Sequence, residues 1–274
     1  MRFDQHLHSR HSFDCETDPE ENVRRAIELD LQGLTFTEHF DTHPDEWHLC
    51  RYNDERYSAD LAWLRQMYGH QLRIGKGIEV CYQPRNEGFI LDHLARHTFD
   101  LVMLSVHWTQ RGALHRPEDW KDIDAAAGVR IYLEAVLEAV GWARDLARQR
   151  GPVFHVLGHL DLVRRYTHRF FENDVPGIGA DLVDDILRTC LEAGLVPEVN
   201  TSSIRFGTGR PMPDGSVIAR YAALGGQAVA FGSDAHRPEH IAADFDTAIA
   251  IVKAAGIHHQ AVFLDRRMLI VDLD

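Results

Sequence analysis

Seven stretches of strand length punctuate the chain at residues 2–6, 33–37, 73–81, 100–106, 153–158, 196–200 and 227–232. Each ends in, or runs into, a polar residue suited to holding a metal or a phosphate: His6 and His8, Glu38 and His39, Glu79, His107, His159, Asn200, then Asp234 and His236. Segments of helical spacing separate the stretches, and parallel strands need such crossovers. An open doubly wound sheet gathers its functional groups at one crevice, whereas a closed barrel displays them at the C-terminal end of every strand. The alternation therefore predicts an α/β fold closed into a TIM-like (β/α)7 barrel, with its site at the C-terminal strand ends.

Local signals support these boundaries. Asp18-Pro19-Glu20-Glu21 offers an N-cap, a proline at the first helical position and acids in the first turn. Val23, Ala26, Ile27 and Leu31 follow at helical spacing. Residues 55–68, 87–97, 129–150, 180–193, 217–224 and 243–255 read as further amphipathic helices, and Gly194, Gly225 and Gly256 stop the last three. Residues 261–265 and 268–271 read as a closing hairpin across Arg266-Arg267. One domain over residues 1–274 is expected.

Composition narrows the class. The chain has 274 residues and a formal net charge of -13, which repels a polyanion on average and argues against nucleic acid as partner. No apolar run approaches the roughly 20 residues needed to cross a bilayer, so no membrane partner is expected. Cys15, Cys50, Cys81 and Cys190 are scattered without a Cys-x-x-Cys pair and read as reduced thiols. The chain enters its first strand almost at once, which leaves no room for a cleavable leader. A cytoplasmic location is the expectation.

Eighteen histidines exceed what packing alone requires, and the best placed sit at strand ends. His6-x-His8 and Asp234-x-His236 each put two donors on one side of a strand, because residues i and i+2 point the same way. Imidazole and carboxylate without thiolate suit Zn, Mn or Fe and argue against a thiolate-bound structural zinc. So many donors imply more than one divalent ion. His43 and His48 follow the second strand and are expected to overhang the pocket, whereas His93, His97 and His115 read as surface residues.

The motifs His6-x-His8-x-x-x-Ser12-x-Asp14, Thr37-Glu38-His39, Gly77-Ile78-Glu79, His107, Gly158-His159-Leu160-Asp161, Asn200-Thr201-Ser202-x-x-Arg205 and Gly232-Ser233-Asp234-Ala235-His236 together resemble the polymerase-and-histidinol-phosphatase (PHP) superfamily. Within it the chain looks like the monofunctional histidinol-phosphate phosphatases. The resemblance implies a distorted seven-stranded barrel holding two or three divalent ions (Zn, Mn or Fe). One ion would lie on His6, His8, Glu79 and Asp234, and a second on bridging Glu79 with His107 and His159. A third would sit on Asp14, His39 and His236. His11 competes with Asp14, and His155 lies near His159, which is preferred because it ends its strand. Glu38 reads as support for an imidazole.

Arginines point to the substrate class. Arg164-Arg165 follow the fifth strand and Arg205 follows Asn200-Thr201-Ser202, so all three are expected on loops above the metals. Arginine forks match phosphate oxygens. The resemblance implies Arg205 and one of Arg164 and Arg165 as a phosphate clamp, with Asp234 and His236 completing the catalytic face. The expected activity is metal-dependent hydrolysis of a small phosphate monoester; the resemblance implies L-histidinol phosphate, with another small phosphate ester, or a nuclease-type phosphodiester, as the alternatives.

Overall fold

The computed structural model describes residues 2–50, 52–173, 175 and 177–273. Strands β1 (Phe3–Leu7), β2 (Gly33–Phe40), β3 (Arg73–Cys81) and β4 (Leu101–Ser105) alternate with helices α1 (Pro19–Glu28), α2 (Asp54–Tyr68) and α3 (Glu87–Arg96). A small hairpin, β5 (Trp108–Thr109) and β6 (Gly112–Ala113), precedes the long helix α4 (Ala125–Arg150) and the short strand β7 (Val156–Leu157). Then come α5 (Val163–Phe171), α6 (Ala180–Ala193), β8 (Val196–Asn200), α7 (Gly215–Ala223), β9 (Ala228–Gly232), α8 (Phe245–Ala254), β10 (His259–Leu264) and β11 (Arg267–Asp272).

The main sheet has nine strands in the order β1-β2-β3-β4-β7-β8-β9-β10-β11. Its pairs are parallel as far as β10 and antiparallel at β11. Both faces of β1 to β4 and β7 to β10 are buried, which is why those strands read as apolar runs. Val102 and Leu104 face the helical layer with Val136 and Val140 of α4. Leu101 and Met103 face inward and meet Val156, Val196, Ala230 and Phe263 in a separate inner core. That inner core lies on one side of the sheet beneath the C-terminal strand ends, where the polar residues collect.

Helix signals hold where they were clearest. The Asp18 side chain accepts from Glu20 N–H and Pro19 opens α1. Gly194 takes φ 71° at the end of α6, the left-handed turn that glycine makes without strain. α4 starts earlier than its apolar spacing suggests because Asp124 caps it, accepting from Ala127 N–H at 2.7 Å.

Closure and strand count depart from expectation. Among the described residues the structure has a nine-stranded, mostly parallel sheet and no closed seven-stranded barrel. β1 and β9 meet at the C-terminal end through Asp234 N–H to His6 O (2.7 Å) and His8 N–H to Ala235 O (2.9 Å). Farther down, the Gln260 side chain donates to Phe3 O at 2.7 Å, so a side-chain amide stands where a backbone ladder would run. The expected closing hairpin is instead part of the sheet: β10 pairs with β9 through His259↔Ala228 and Gln260↔Val229. Its turn is Asp265-Arg266, one residue earlier than expected.

The fifth strand shrinks to two residues for a local reason. The ring of His155 (Nδ1) accepts the Val102 N–H at 2.9 Å, taking a bond that a neighbouring carbonyl would otherwise accept. Burial lowers that imidazole's pKa to about 4, so it stays neutral as an acceptor. His155 is therefore a sheet residue, which leaves His159 as the strand-end candidate.

Candidate metal centre

Strand register assembles the site. His39 of β2 lies opposite Glu79 of β3, and Glu79 lies opposite Met103 of β4. His6 belongs to β1 and His8 follows it, while His107, His159 and Asp234 follow β4, β7 and β9. All nine residues expected to bind metal come together at one end of the sheet.

Glu79 is fully buried at the middle of the group. Its Oε2 lies 3.5 Å from His6 Nε2 and 3.7 Å from His8 Nε2. Those two nitrogens are 3.2 Å apart, and Asp234 Oδ1 is 3.8 and 3.5 Å from them. A tetrahedral ion with bonds of about 2.1 Å has ligand–ligand edges of roughly 3.4 Å. The His6, His8 and Asp234 atoms fit one such ion, with Glu79 Oε2 within 3.7 Å of both nitrogens. On the other side Glu79 Oε1 lies 2.8 Å from His159 Nε2 and 3.3 Å from His107 Nε2, which are 3.5 Å from each other. Asp14 Oδ2 lies 3.1 Å from His236 Nε2 and 3.5 Å from His39 Nε2. The His8 ring stacks on both of those imidazoles, at 4.2 and 4.3 Å.

The imidazoles are oriented by what holds their other nitrogen. His6 Nδ1–H donates to Glu198 Oε1 at 2.6 Å, and His107 Nδ1–H donates to Asp41 Oδ1 at 3.2 Å. His236 Nδ1–H donates to Asp234 O at 3.1 Å. His8 Nδ1–H donates to Ser12 Oγ at 3.0 Å, and Ser12 Oγ–H donates in turn to Glu38 Oε2 at 2.6 Å. Each arrangement fixes the tautomer that leaves the Nε2 lone pair free for a cation. His39 Nδ1 faces Glu79 Oε2 at 2.9 Å, and buried His159 Nδ1 has no hydrogen-bond partner. The donor chemistry and the spacing fit divalent metal.

Charge is tuned accordingly. Burial opposes ionisation of Glu79, yet His6, His39 and His107 outweigh it and hold the carboxyl well below its usual range. Burial likewise opposes charge on His6, but Glu198, Glu79 and Asp234 raise its pKa well above the ordinary value. His39 is raised against burial by Asp14 and Glu79, and His107 by Asp41 and Glu79. His8, pressed by burial and by His39 and His236, falls to about 3. Without metal, protons on neighbouring imidazoles thus balance the buried carboxylates.

Sequence reasoning missed Glu198, which sits at mid-strand in Val196-Pro197-Glu198-Val199-Asn200. Besides orienting His6 it accepts His159 N–H at 2.7 Å. An acid inside an otherwise apolar, doubly buried strand was the available signal. Gly232 makes room for it, since a Cβ there would lie 2.1 Å from Glu198 Oε1. Glu38 supports an imidazole as expected, though it reaches His8 through Ser12 and not the adjacent His39. His11 pairs with Asp60 at 3.0 Å, away from the donor group, so Asp14 occupies the position for which they competed.

A cavity of about 280 Å3 opens over these donors, lined among others by Phe13, Glu46, Leu49, Leu114, His115, Arg165 and Tyr166. His43 and His48 do not line it: His43 stacks on Trp108 at 3.4 Å, and their segment contributes Glu46 and Leu49 instead. His115 is exposed as expected, and it also lines the cavity and lies 3.3 Å from Glu46. His93 is less exposed than expected, because it stacks on Phe40 at 4.2 Å.

Arg164 and Arg165 lie in the first turn of α5, not on a loop. The helix separates them. Arg165 lines the cavity, donates to Ser202 Oγ, and comes within 3.5 Å of Asp234 Oδ2. Arg164 reaches Val175 O at 3.1 Å and Asp161 Oδ2 at 3.4 Å. Arg205 Nη2 donates to Ser233 O and Asp234 O, both at 2.8 Å, while its buried Nη1 has no partner.

A PHP domain model matches residues 4–202. The chain belongs to the PHP domain family. It is 26% identical over 259 residues to a probable histidinol-phosphatase of Thermotoga maritima, covering 94% of each chain. It is also 26% identical to a histidinol-phosphatase of Lactococcus lactis, covering 96% of this chain and 94% of that one. In fold it resembles the crystal structure of histidinol phosphate phosphatase from Lactococcus lactis with zinc, L-histidinol and phosphate, with TM-score 0.80, 24% identity and 98% of both chains covered. A putative histidinol phosphatase from Listeria monocytogenes matches with TM-score 0.75 and 22% identity over 90% of this chain and 99% of that one.

Two predictions follow the geometry of this PHP centre. Glu79→Gln should lower bound metal, measured by elemental analysis, while circular dichroism keeps the wild-type spectrum; full metal content would contradict the central place of this carboxylate. Protons held on His6, His39 and His107 must leave when a cation takes their lone pairs. Metal affinity should therefore rise with pH, and calorimetric binding enthalpies near neutral pH should depend on buffer ionisation heat. Buffer-independent enthalpies would show that no proton is displaced.

Proposed function

We propose that this protein is a metal-dependent phosphomonoesterase that hydrolyses L-histidinol phosphate to L-histidinol and phosphate. The observation that carries the reading is the coincidence, in one cavity, of Glu79 with its convergent imidazoles and the guanidinium of Arg165. The similarity to histidinol-phosphatases along nearly the whole chain supports the choice of substrate. So does the cavity wall, where apolar Phe13, Leu49 and Leu114 adjoin buried Glu46, a setting for an imidazole and an ammonium group. The reading treats residues 1–274 as one catalytic domain, whose strands β1 to β4 and β7 to β9 we take as a distorted, incompletely closed seven-stranded barrel extended by β10 and β11. The free cysteines accord with a cytoplasmic setting.

The residues proposed to hold metal are His6, His8, Glu79 and Asp234 for one ion and Glu79, His107 and His159 for a second. Asp14, His39 and His236 would hold a third; Zn, Mn or Fe suits these donors. Bound ions would supply a water of lowered pKa and positive charge facing the phosphoryl oxygens.

The chain's own residues do the rest. Arg165, not Arg164, would fork onto phosphate, a reading supported by its contacts with Ser202 and with Phe206, whose ring lies 4.4 Å from its guanidinium. Arg205 is proposed to offer Nη1 to phosphate while Nη2 secures the backbone that carries Asp234. Apolar side chains at the cavity wall limit water around the ester. Glu38 through Ser12, and Glu198 directly, keep the His8 and His6 rings fixed as charge redistributes in the transition state.

Phosphate release from a panel of small phosphomonoesters, run with Zn, Mn, Fe and metal-free protein, tests the proposal. Histidinol phosphate should give the highest kcat/KM, and chelation should abolish it; a better non-cationic ester would contradict the substrate assignment. Arg165→Ala should lose on the order of 10- to 100-fold in kcat/KM, the equivalent of one charged hydrogen bond or more. Arg164→Ala should leave kinetics closer to wild type. The opposite ranking would move the clamp to Arg164.

A further inference from the structure

β11 forms one end of the sheet and pairs only with β10 among the described strands. Six residue pairs run without a bulge from His259↔Asp272 to Leu264↔Arg267. The joining residues Asp265 and Arg266 take φ of 49° and 60°, as a tight two-residue hairpin turn requires. In such a hairpin the pair flanking the turn is hydrogen-bonded. Arg267, Leu269 and Val271 therefore bond inward to β10, and Met268, Ile270 and Asp272 present free N–H and C=O groups outward.

This edge lacks the usual protection. It has no proline, lysine or bulge, and Met268, Leu269 and Ile270 are 52%, 42% and 51% exposed. Three consecutive large apolar residues expose both faces of the strand. Natural sheets normally blunt such an edge or cover it. The strand is also polar in charge: Arg266 and Arg267 stand at its start, and Asp272, 85% exposed, at its end.

We propose that β11 pairs antiparallel with β11 of a second copy of this chain, joining the two sheets about a two-fold axis. An axis normal to the sheet keeps each face on its own side, so residues of like parity oppose one another. Centring the axis on Leu269 sets Met268 of each copy opposite Ile270 of the other. Arg267 then faces Val271, and Arg266 faces Asp272. The apolar run covers itself, and each basic end meets an acidic end. A parallel arrangement would bring like charges together, which is why the charge order selects the antiparallel one. One six-residue strand pair is small beside the roughly 800 Å2 per partner of stable complexes, so a concentration-dependent equilibrium is expected.

Sedimentation velocity of the full chain over on the order of a 100-fold range of concentration tests this. The wild type should shift from monomer toward dimer, and Ile270→Lys should remain monomeric with an unchanged melting temperature. Arg266→Glu should weaken the dimer, and adding Asp272→Arg should restore it. Leu269→Cys, a non-hydrogen-bonded self-pair at the axis, should form a disulfide dimer under mild oxidation much faster than Lys253→Cys on α8. A wild type that stays monomeric across the range would overturn the proposal. So would a dimer that survives Ile270→Lys.

Discussion

The structure turns on the burial of one carboxylate. Glu79 carries its charge with no solvent exposure, within 3.7 Å of imidazoles from several strand ends. An uncompensated buried carboxylate costs several kcal/mol, so it is tolerable only where protonated imidazoles or a cation surround it. That requirement explains why the sheet converges at this end. It also explains the second ring of acids: Glu198, Asp41 and Glu38 hold the histidine rings so that their Nε2 atoms aim inward.

The fold was legible where one residue type dominates the local energetics. The strands at 73–81 and 196–200 match β3 and β8, and Asp18-Pro19 and Gly194 mark helix ends because capping and positive φ leave strong local signatures. The shortening of β7 was hidden, since it depends on the His155 ring accepting the Val102 N–H of the neighbouring strand. Helix α5 was missed because Arg164-Arg165 read as a polar loop, and its apolar contacts are made far away in sequence. Closure failed as an inference for a related reason: the side chain of Gln260 bridges β1 and β10, and no periodicity announces it.

The site was more legible than the fold. The nine residues expected from sequence to bind metal lie together, since the C-terminal ends of parallel strands must lie together. What sequence could not order was the supporting layer. Glu198 hides within an apolar strand, and Glu38 acts through Ser12. The arginine pair shows the same limit, because only the helical turn decides that Arg165 faces the cavity and Arg164 does not. The protein's negative net charge would be no obstacle to an anionic ester, because cations bound at Glu79, together with Arg165, would set the local field at the cavity.

Crystals soaked in Mn or Zn, with anomalous difference maps, test the central claim most directly. The account predicts a peak on each side of the Glu79 carboxylate, separated by about 3.5–4 Å as in two-metal sites. Oε2 should bind the ion shared with His6 and His8, and Oε1 the ion shared with His107 and His159. A single peak held without Glu79, or metal held instead by Asp41, Cys81 and His107, which also converge, would contradict it.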